Sequence, residues 1–187
     1  GADVAEGLVQ GDWSVAVVRD GMNRGLKAAL RTHMDTDEFA EELIKVGRFY
    51  HQATVLCERE GPGMAVNLDL IRNYGNVWHE HAVEKDGMPV TKKFGWSTNP
   101  RTRPIMLTQM REEVRTGACA LRDLRLIEEC KVFCVNEDGK AEASQGYFDD
   151  YVLAYAIAGA GINLMQTMKP VRRPRPQVEP QTSNLAG

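Results

Sequence analysis

Five carboxylates stand where apolar stretches of this chain stop or start. They are Asp3 in G-A-D-V-A-E-G, Asp12 in G-D-W-S, Glu58 directly after T-V-L-C, and Asp149 and Asp150 in G-Y-F-D-D-Y-V-L-A-Y-A. A carboxylate at the end of a buried strand is costly unless something positive receives it. Several of them brought together form a hard, oxygen-rich pocket suited to Mg²⁺ or Mn²⁺. Two such ions, about 3.5–4 Å apart, can activate a water and stabilise the leaving oxygen of a phosphodiester. Each acid also has a purely structural alternative. Asp149 or Asp150 at a helix N-terminus interacts well with the helix dipole without metal. Glu58 can mark where a strand meets solvent, and Asp12 can be a turn residue. These alternatives weaken when all the positions occur together in one chain.

The elements that must carry these acids are readable from pattern. Ser14–Arg19 reads as a strand, and Gly25–Met34 returns antiparallel after the turn Asp20-Gly21-Met22-Asn23. Asp35, with Glu38 three residues on, predicts a capped helix whose buried stripe is Phe39, Leu43, Val46 and Tyr50. Ala53–Cys57 has strand character, Gly61-Pro62-Gly63 breaks it, and Met64–Asn73 reads as a second helix. Asn76–Val83 and Met88–Lys93 flank the hairpin signal Asp86-Gly87. Thr102–Thr116 predicts a third helix, with Pro104 tolerable in its first turn. Leu121–Val135 mixes helix and strand signals, Glu137–Lys140 is a turn, and Tyr147–Met168 is a long apolar helix. Together they predict an α/β domain over 1–168, a mixed central sheet flanked by helices. The abrupt start suggests a piece cut from a longer chain.

From Lys169 to Gly187 the character changes to a Pro/Arg-rich tail holding four of the eight prolines, with a net charge of +3 and almost nothing to bury. The chain of 187 residues carries a net −3. Taken alone, that balance argues against coating nucleic acid by bulk positive charge. The charge is unevenly placed, however. Between Lys85 and Arg111 the chain is +5, from Lys85, Lys92, Lys93, Arg101, Arg103 and Arg111 against Asp86. This is either a phosphate-tracking hairpin and loop or an ordinary solvated face. The four cysteines (Cys57, Cys119, Cys130, Cys134) contain no C-x-x-C pair and read as free thiols in a reducing compartment. His79 and His81 share a strand face but have no third ligand nearby, and Trp13, Trp78 and Trp96 read as core or loop anchors. No stretch is apolar enough to span a membrane and no secretory signal is present, which predicts a protein that is not secreted.

With these segments in place, the sequence resembles the C-terminal nuclease domain of the large terminase subunit of tailed bacteriophages, a ribonuclease H-like fold. The resemblance runs to about Met168. G-A-D-V-A-E-G followed by G-D-W-S-V-A-V-V is similar to the family's opening strand, placing its metal-binding aspartate on Asp3. T-V-L-C-E-R-E-G-P-G is similar to the glutamate motif, placing it on Glu58; Glu60 stands where members often have Asn, and Gly63 is retained. K-F-G-W-S-T-N-P-R-T-R-P-I-M resembles the G-W-x-T segment and the helix after it. G-Y-F-D-D-Y-V-L-A-Y-A-I-A resembles the terminal acidic motif, with Phe148 where His is usual.

The resemblance implies endonucleolytic hydrolysis of concatemeric double-stranded viral DNA during genome packaging. It implies two Mg²⁺ ions, with Mn²⁺ able to substitute, held by Asp3, Glu58 and one or both of Asp149 and Asp150, with Asp12 as an auxiliary ligand. Lys85, Lys92, Lys93, Arg101 and Arg103 would contact DNA. The implied partners are an N-terminal ATPase domain of the same subunit, the small terminase subunit and the portal protein, in the host bacterial cytoplasm at the procapsid. No G-x-x-x-x-G-K-[ST] occurs, so this chain is not that motor. Two other readings stay open: another ribonuclease H-like nuclease of resolvase or integrase type, and a catalytically silent assembly module.

Overall fold

In a computed structural model, the structure describes residues 1–8, 10–80, 92–136 and 139–167. Lys85, His81, the Asp86-Gly87 turn and the 169–187 tail lie outside them. Three antiparallel strands form the regular sheet: β1 (Ala2–Asp3), β2 (Ser14–Arg19) and β3 (Leu26–Thr32), in that order. Helices α1 (Thr36–Phe49) and α2 (Gly63–Asn73) follow. A two-stranded ribbon pairs β4 (His79–Glu80) with β5 (Lys93–Phe94). Helices α3 (Thr102–Thr116) and α4 (Leu124–Val132) lead into a second ribbon, β6 (Phe133–Val135) with β7 (Ala141–Ala143), and α5 (Asp150–Thr167) closes the described chain.

Among the described residues the expected large mixed sheet does not form, and parallel neighbours meet at isolated bridges, Ala2 with Cys57, Val55 with Val77 and Glu58 with Trp96. The Ala53–Cys57 segment is therefore no regular strand, although its backbone is tied on both sides. Ala2 N–H donates to Leu56 O at 2.9 Å, Glu58 N–H to Ala2 O at 2.9 Å, and Trp96 N–H to Cys57 O at 2.7 Å. On the Trp96 side the pairing runs past Glu58, with Arg59 N–H donating to Trp96 O at 2.8 Å, while the Glu58 carbonyl accepts from the Asn67 side chain at 2.9 Å.

Side-chain alternation sorts the core into two faces. Val15, Val17 and Leu56 pack with α3 and α5, while Ala2, Ala16, Val55 and Cys57 pack with α1 and α2. Helix α1 presents Phe39, Ala40, Leu43 and Ile44 to that second face; Asp35 sits at its N-cap position but makes no side-chain cap hydrogen bond. Helix α5 is buried at every position from Asp150 to Ile162, as expected of a helix apolar all round. Its small residues let it lie close: a Cβ on Gly161 would stand 2.7 Å from Leu56 Cδ2. The unresolved Leu121–Val135 stretch becomes a helix and then a strand. Cys130 and Cys134 thus fall on different elements rather than on one helical turn.

A buried charge cluster fastens the sheet to the helices. Arg19 of β2 and Arg24 both pair with Glu113 of α3, and Arg19 also donates to Tyr155 O of α5 at 3.3 Å. The Arg19 side chain is 1% exposed, so removing its carboxylate strands a charge in the interior. Glu113→Ala is expected to cost about 3–5 kcal/mol in urea unfolding, the usual penalty for breaking a buried pair from one side. A loss below about 1 kcal/mol, the range of exposed pairs, would contradict the clamp.

Candidate metal centre

The alternation that builds the two faces also aims the acids. Ala2 belongs to the α1–α2 face, so Asp3, one residue on, belongs to the α5 face; Cys57 and Glu58 repeat the step on the neighbouring segment. Asp149 and Asp150 begin α5, which packs on β1 and β2. Asp3 consequently lies within electrostatic reach of Glu58, Asp150 and Asp149. Asp3 and Asp150 are each only 7% exposed.

The electrostatics record that proximity. Burial pushes the Asp3 carboxyl well above the usual carboxylate range, and its hydrogen bond to Glu58 and the charges of Glu58, Asp150 and Asp149 push the same way. Asp150 is pushed up to about 7, chiefly by burial and then by Asp12, Asp149 and Glu129, against the lowering effect of the Trp13 N–H. Asp12 is exposed and reaches the cluster through Asp150.

Each acid is also held by the protein. Asp3 shares a hydrogen bond with Glu58. Asp149 Oδ2 accepts from Arg103 at 3.2 Å, and Asp150 Oδ2 accepts from the Trp13 N–H at 3.1 Å. Among the described residues, no three His, Cys, Asp or Glu side chains already form a metal-holding group. The donor chemistry nevertheless fits a hard divalent cation, since the cluster is all oxygen and its like charges destabilise one another.

Asn67, absent from the sequence reading, shapes the Glu58 end. Its buried amide donates to Glu58 O at 2.9 Å and Gly63 O at 2.8 Å. Gly63 is required there, because a Cβ would lie 2.0 Å from the Glu58 carbonyl oxygen. The only sequence signal was a polar residue between Val66 and Leu70 on the apolar side of a helix. Glu60 accepts from Ser97 Oγ at 2.5 Å and lies 3.7 Å from Arg59, tying its turn to the G-W-S-T segment.

A groove of about 1200 Å³ runs from Glu58 along α3 to the β6–β7 ribbon. Apolar Leu107, Met110 and Phe133 line it together with Arg103, Arg111 and Lys140. Lys92, Lys93 and Arg101 are exposed. Arg103 is not a free surface cation: it is half-buried, paired with Asp149, and donates to Ala141 O at 2.9 Å.

No protein-family profile matches this chain, and no curated protein matches it in sequence. In three dimensions it is similar to the large terminase nuclease from thermophilic phage G20c, whose crystal structure contains bound magnesium. The match has a TM-score of 0.67 at 18% identity and covers 86% of this chain and 78% of that one. The chain therefore has the fold of a large terminase nuclease. Among the described residues, no helix is long and apolar enough to cross a membrane.

The acid cluster carries a pH signature. A carboxyl whose folded pKa exceeds its unfolded value, near 4, binds more protons when folded, so stability is present at low pH and lost as pH rises through the folded value. For Asp150 that window runs from about pH 4 to about pH 7, and for Asp3 it also extends upward from about pH 4. Metal-free protein should melt at lower temperature at about pH 8 than at about pH 5, with Mg²⁺ recovering the loss at about pH 8 and Asp150→Asn reducing the pH dependence. A melting temperature of the metal-free protein that stays level over this range and does not rise with Mg²⁺ at about pH 8 would dismiss the cluster.

Proposed function

We propose that this chain is a ribonuclease H-like, divalent-metal-dependent endonuclease domain that cuts concatemeric double-stranded DNA during viral genome packaging. The observation that supports the reading is the electrostatic influence of Glu58, Asp150 and Asp149 on the buried Asp3, within a fold shared with a terminase nuclease. Asp3, Glu58, Asp149 and Asp150 would hold two Mg²⁺ ions, or Mn²⁺ in their place, with Asp12 at the margin. Bound there, such ions supply a hydroxide at neutral pH and offset charge on the phosphate.

The chain's own residues do the rest. Asp3 projects from β1, fastened to β2 by antiparallel pairing and to Leu56 and Glu58 by backbone hydrogen bonds. Asn67 and Gly63 set the turn that presents Glu58. Lys92, Lys93 and Arg101 offer cations to DNA phosphates, and Arg111 and Lys140 extend that charge along the groove. Arg103, which lines the groove, would give up its pair with Asp149 if Asp149 joined the ligand set. Lys85, outside the described residues, completes the basic segment. The reading brings with it an ATPase domain of the same subunit, a small terminase subunit and a portal protein as partners, at the procapsid in the host cytoplasm.

Incubation with plasmid and Mn²⁺ tests the assignment. The wild-type chain is expected to nick and linearise DNA, and Asp3→Asn and Asp150→Asn are each expected to lower the rate at least about a hundredfold, equivalent to a few kcal/mol of transition-state stabilisation. Cleavage surviving both substitutions would remove the metal-site assignment. Mn²⁺ uptake without cleavage would instead support the silent assembly module. Lys92→Ala combined with Lys93→Ala should weaken DNA binding and reduce the slope of log affinity against log salt by about 2, one per lost phosphate contact. An unchanged slope would remove this face from the interface.

A further inference from the structure

A helix that begins with two aspartates ordinarily spends one of them on its own first-turn N–H groups. That does not happen in α5. The N–H groups of Tyr151 and Val152 donate to Glu129 Oε2, at 2.8 and 3.3 Å, from the neighbouring helix α4. Asp149 and Asp150 bind Arg103 and the Trp13 N–H instead. Glu129 is 6% exposed, and its other oxygen lies 3.6 Å from Arg31 Nη2. The Arg31 guanidinium sits over the rings of Trp13 at 4.6 Å and Phe148 at 5.4 Å. Trp13 and Phe148 meet edge to face, and the Trp13 N–H closes the circuit on Asp150.

We propose that Glu129 is a positioning residue for the acid cluster: by taking the N–H groups at the start of α5, it leaves both aspartates available as ligands. Placing a buried carboxylate beside others has a cost, which the ion pair with Arg31 offsets in part. Without Glu129, the vacated N–H groups become the nearest partners for Asp149, whose backbone carbonyl already accepts from the Leu153 N–H at 2.9 Å in the cap position. An aspartate turned onto its own helix is lost to a metal. Glu129 does not touch the reacting atoms. The inference rests on the metal-dependent reading above and assigns the residue that keeps its ligands free.

The test separates reach from charge. Glu129→Gln keeps an oxygen acceptor at the same distance, whereas Glu129→Asp keeps the charge but withdraws it by one methylene. Mn²⁺ affinity is measured on each folded variant by titration calorimetry, alongside amide exchange at Tyr151 and Val152 in metal-free protein. Glu129→Asp and Glu129→Ala are expected to weaken Mn²⁺ binding about 10–100-fold, the usual effect of losing a partner that orients a metal ligand, and to speed exchange at both amides. Glu129→Gln is expected to stay close to wild type in both measurements. Should Glu129→Ala fail to fold, the Asp and Gln variants still decide. Faster exchange with unchanged Mn²⁺ affinity would make Glu129 a helix cap and nothing more, overturning the inference. Weaker binding in Glu129→Gln than in Glu129→Asp would overturn it in favour of a charge effect. If the wild-type chain itself takes up no Mn²⁺, the metal-dependent reading fails and the inference fails with it, an outcome distinct from the other two.

Discussion

Four carboxylates lie within electrostatic reach of one another in this protein beside a buried helix end, and their neighbours answer that repulsion. Two of the four, Asp3 and Asp150, are almost wholly removed from water. Charges in such a place are tolerated only when a proton, a counter-ion or a hydrogen-bond donor accompanies them. All three devices are present. Burial and the neighbouring Glu58 favour a proton on Asp3, Arg103 faces Asp149, and the Trp13 backbone N–H serves Asp150. None of these partners would be needed if the acids were dispersed, so the cluster is maintained against a steady electrostatic cost.

The rigidity of the surroundings explains how that cost is borne. The helix bearing Asp150 is buried along thirteen consecutive residues, from Asp150 to Ile162, and packs against the sheet through small side chains. Its far half is fixed by the Arg19–Glu113–Arg24 cluster, and its start by Glu129. Relaxing the repulsion by tilting the helix would open the larger apolar interface. Stability lost at the acid cluster is thus offset by packing elsewhere, the usual relation between a functional centre and its scaffold.

Much of this is legible in the sequence where the period and the punctuation agree. Thr102–Thr116 coincides with its helix because Thr102 and Pro104 mark the start and Gly117 supplies the left-handed cap at the end. The Asp20–Asn23 turn and the strands beside it follow from the D-G dipeptide and the apolar run. The acids are legible as residue types at segment ends, and alternation assigns Asp3 and Glu58 to one face. Among the described residues the large central sheet is not realised: single parallel bridges stand in place of ladders around Glu58, whose carbonyl accepts from the Asn67 side chain. The last helix starts at Asp150 rather than Tyr147, and the ribbon strand β7 carries little apolar signal. Glu129 was beyond reach because its segment mixes helical and strand preferences, and its role is a contact between residues twenty-two apart.

Net charge illustrates the same difference between composition and placement. A total of −3 describes a chain in which the 1–168 portion is −6, while the short stretch from Lys85 to Arg111 within it is +5. The potential that a phosphate meets depends on which side chains are already satisfied, because charges separated by more than about 10 Å are screened at ordinary salt. Arg103 belongs by sequence to the basic stretch but by structure to Asp149, whose charge it offsets. Lys92, Lys93 and Arg101 are exposed and carry no such obligation to the buried acids. The acidic and basic regions are therefore joined through one arginine, which contacts Asp149 on one side and the β7 carbonyl of Ala141 on the other.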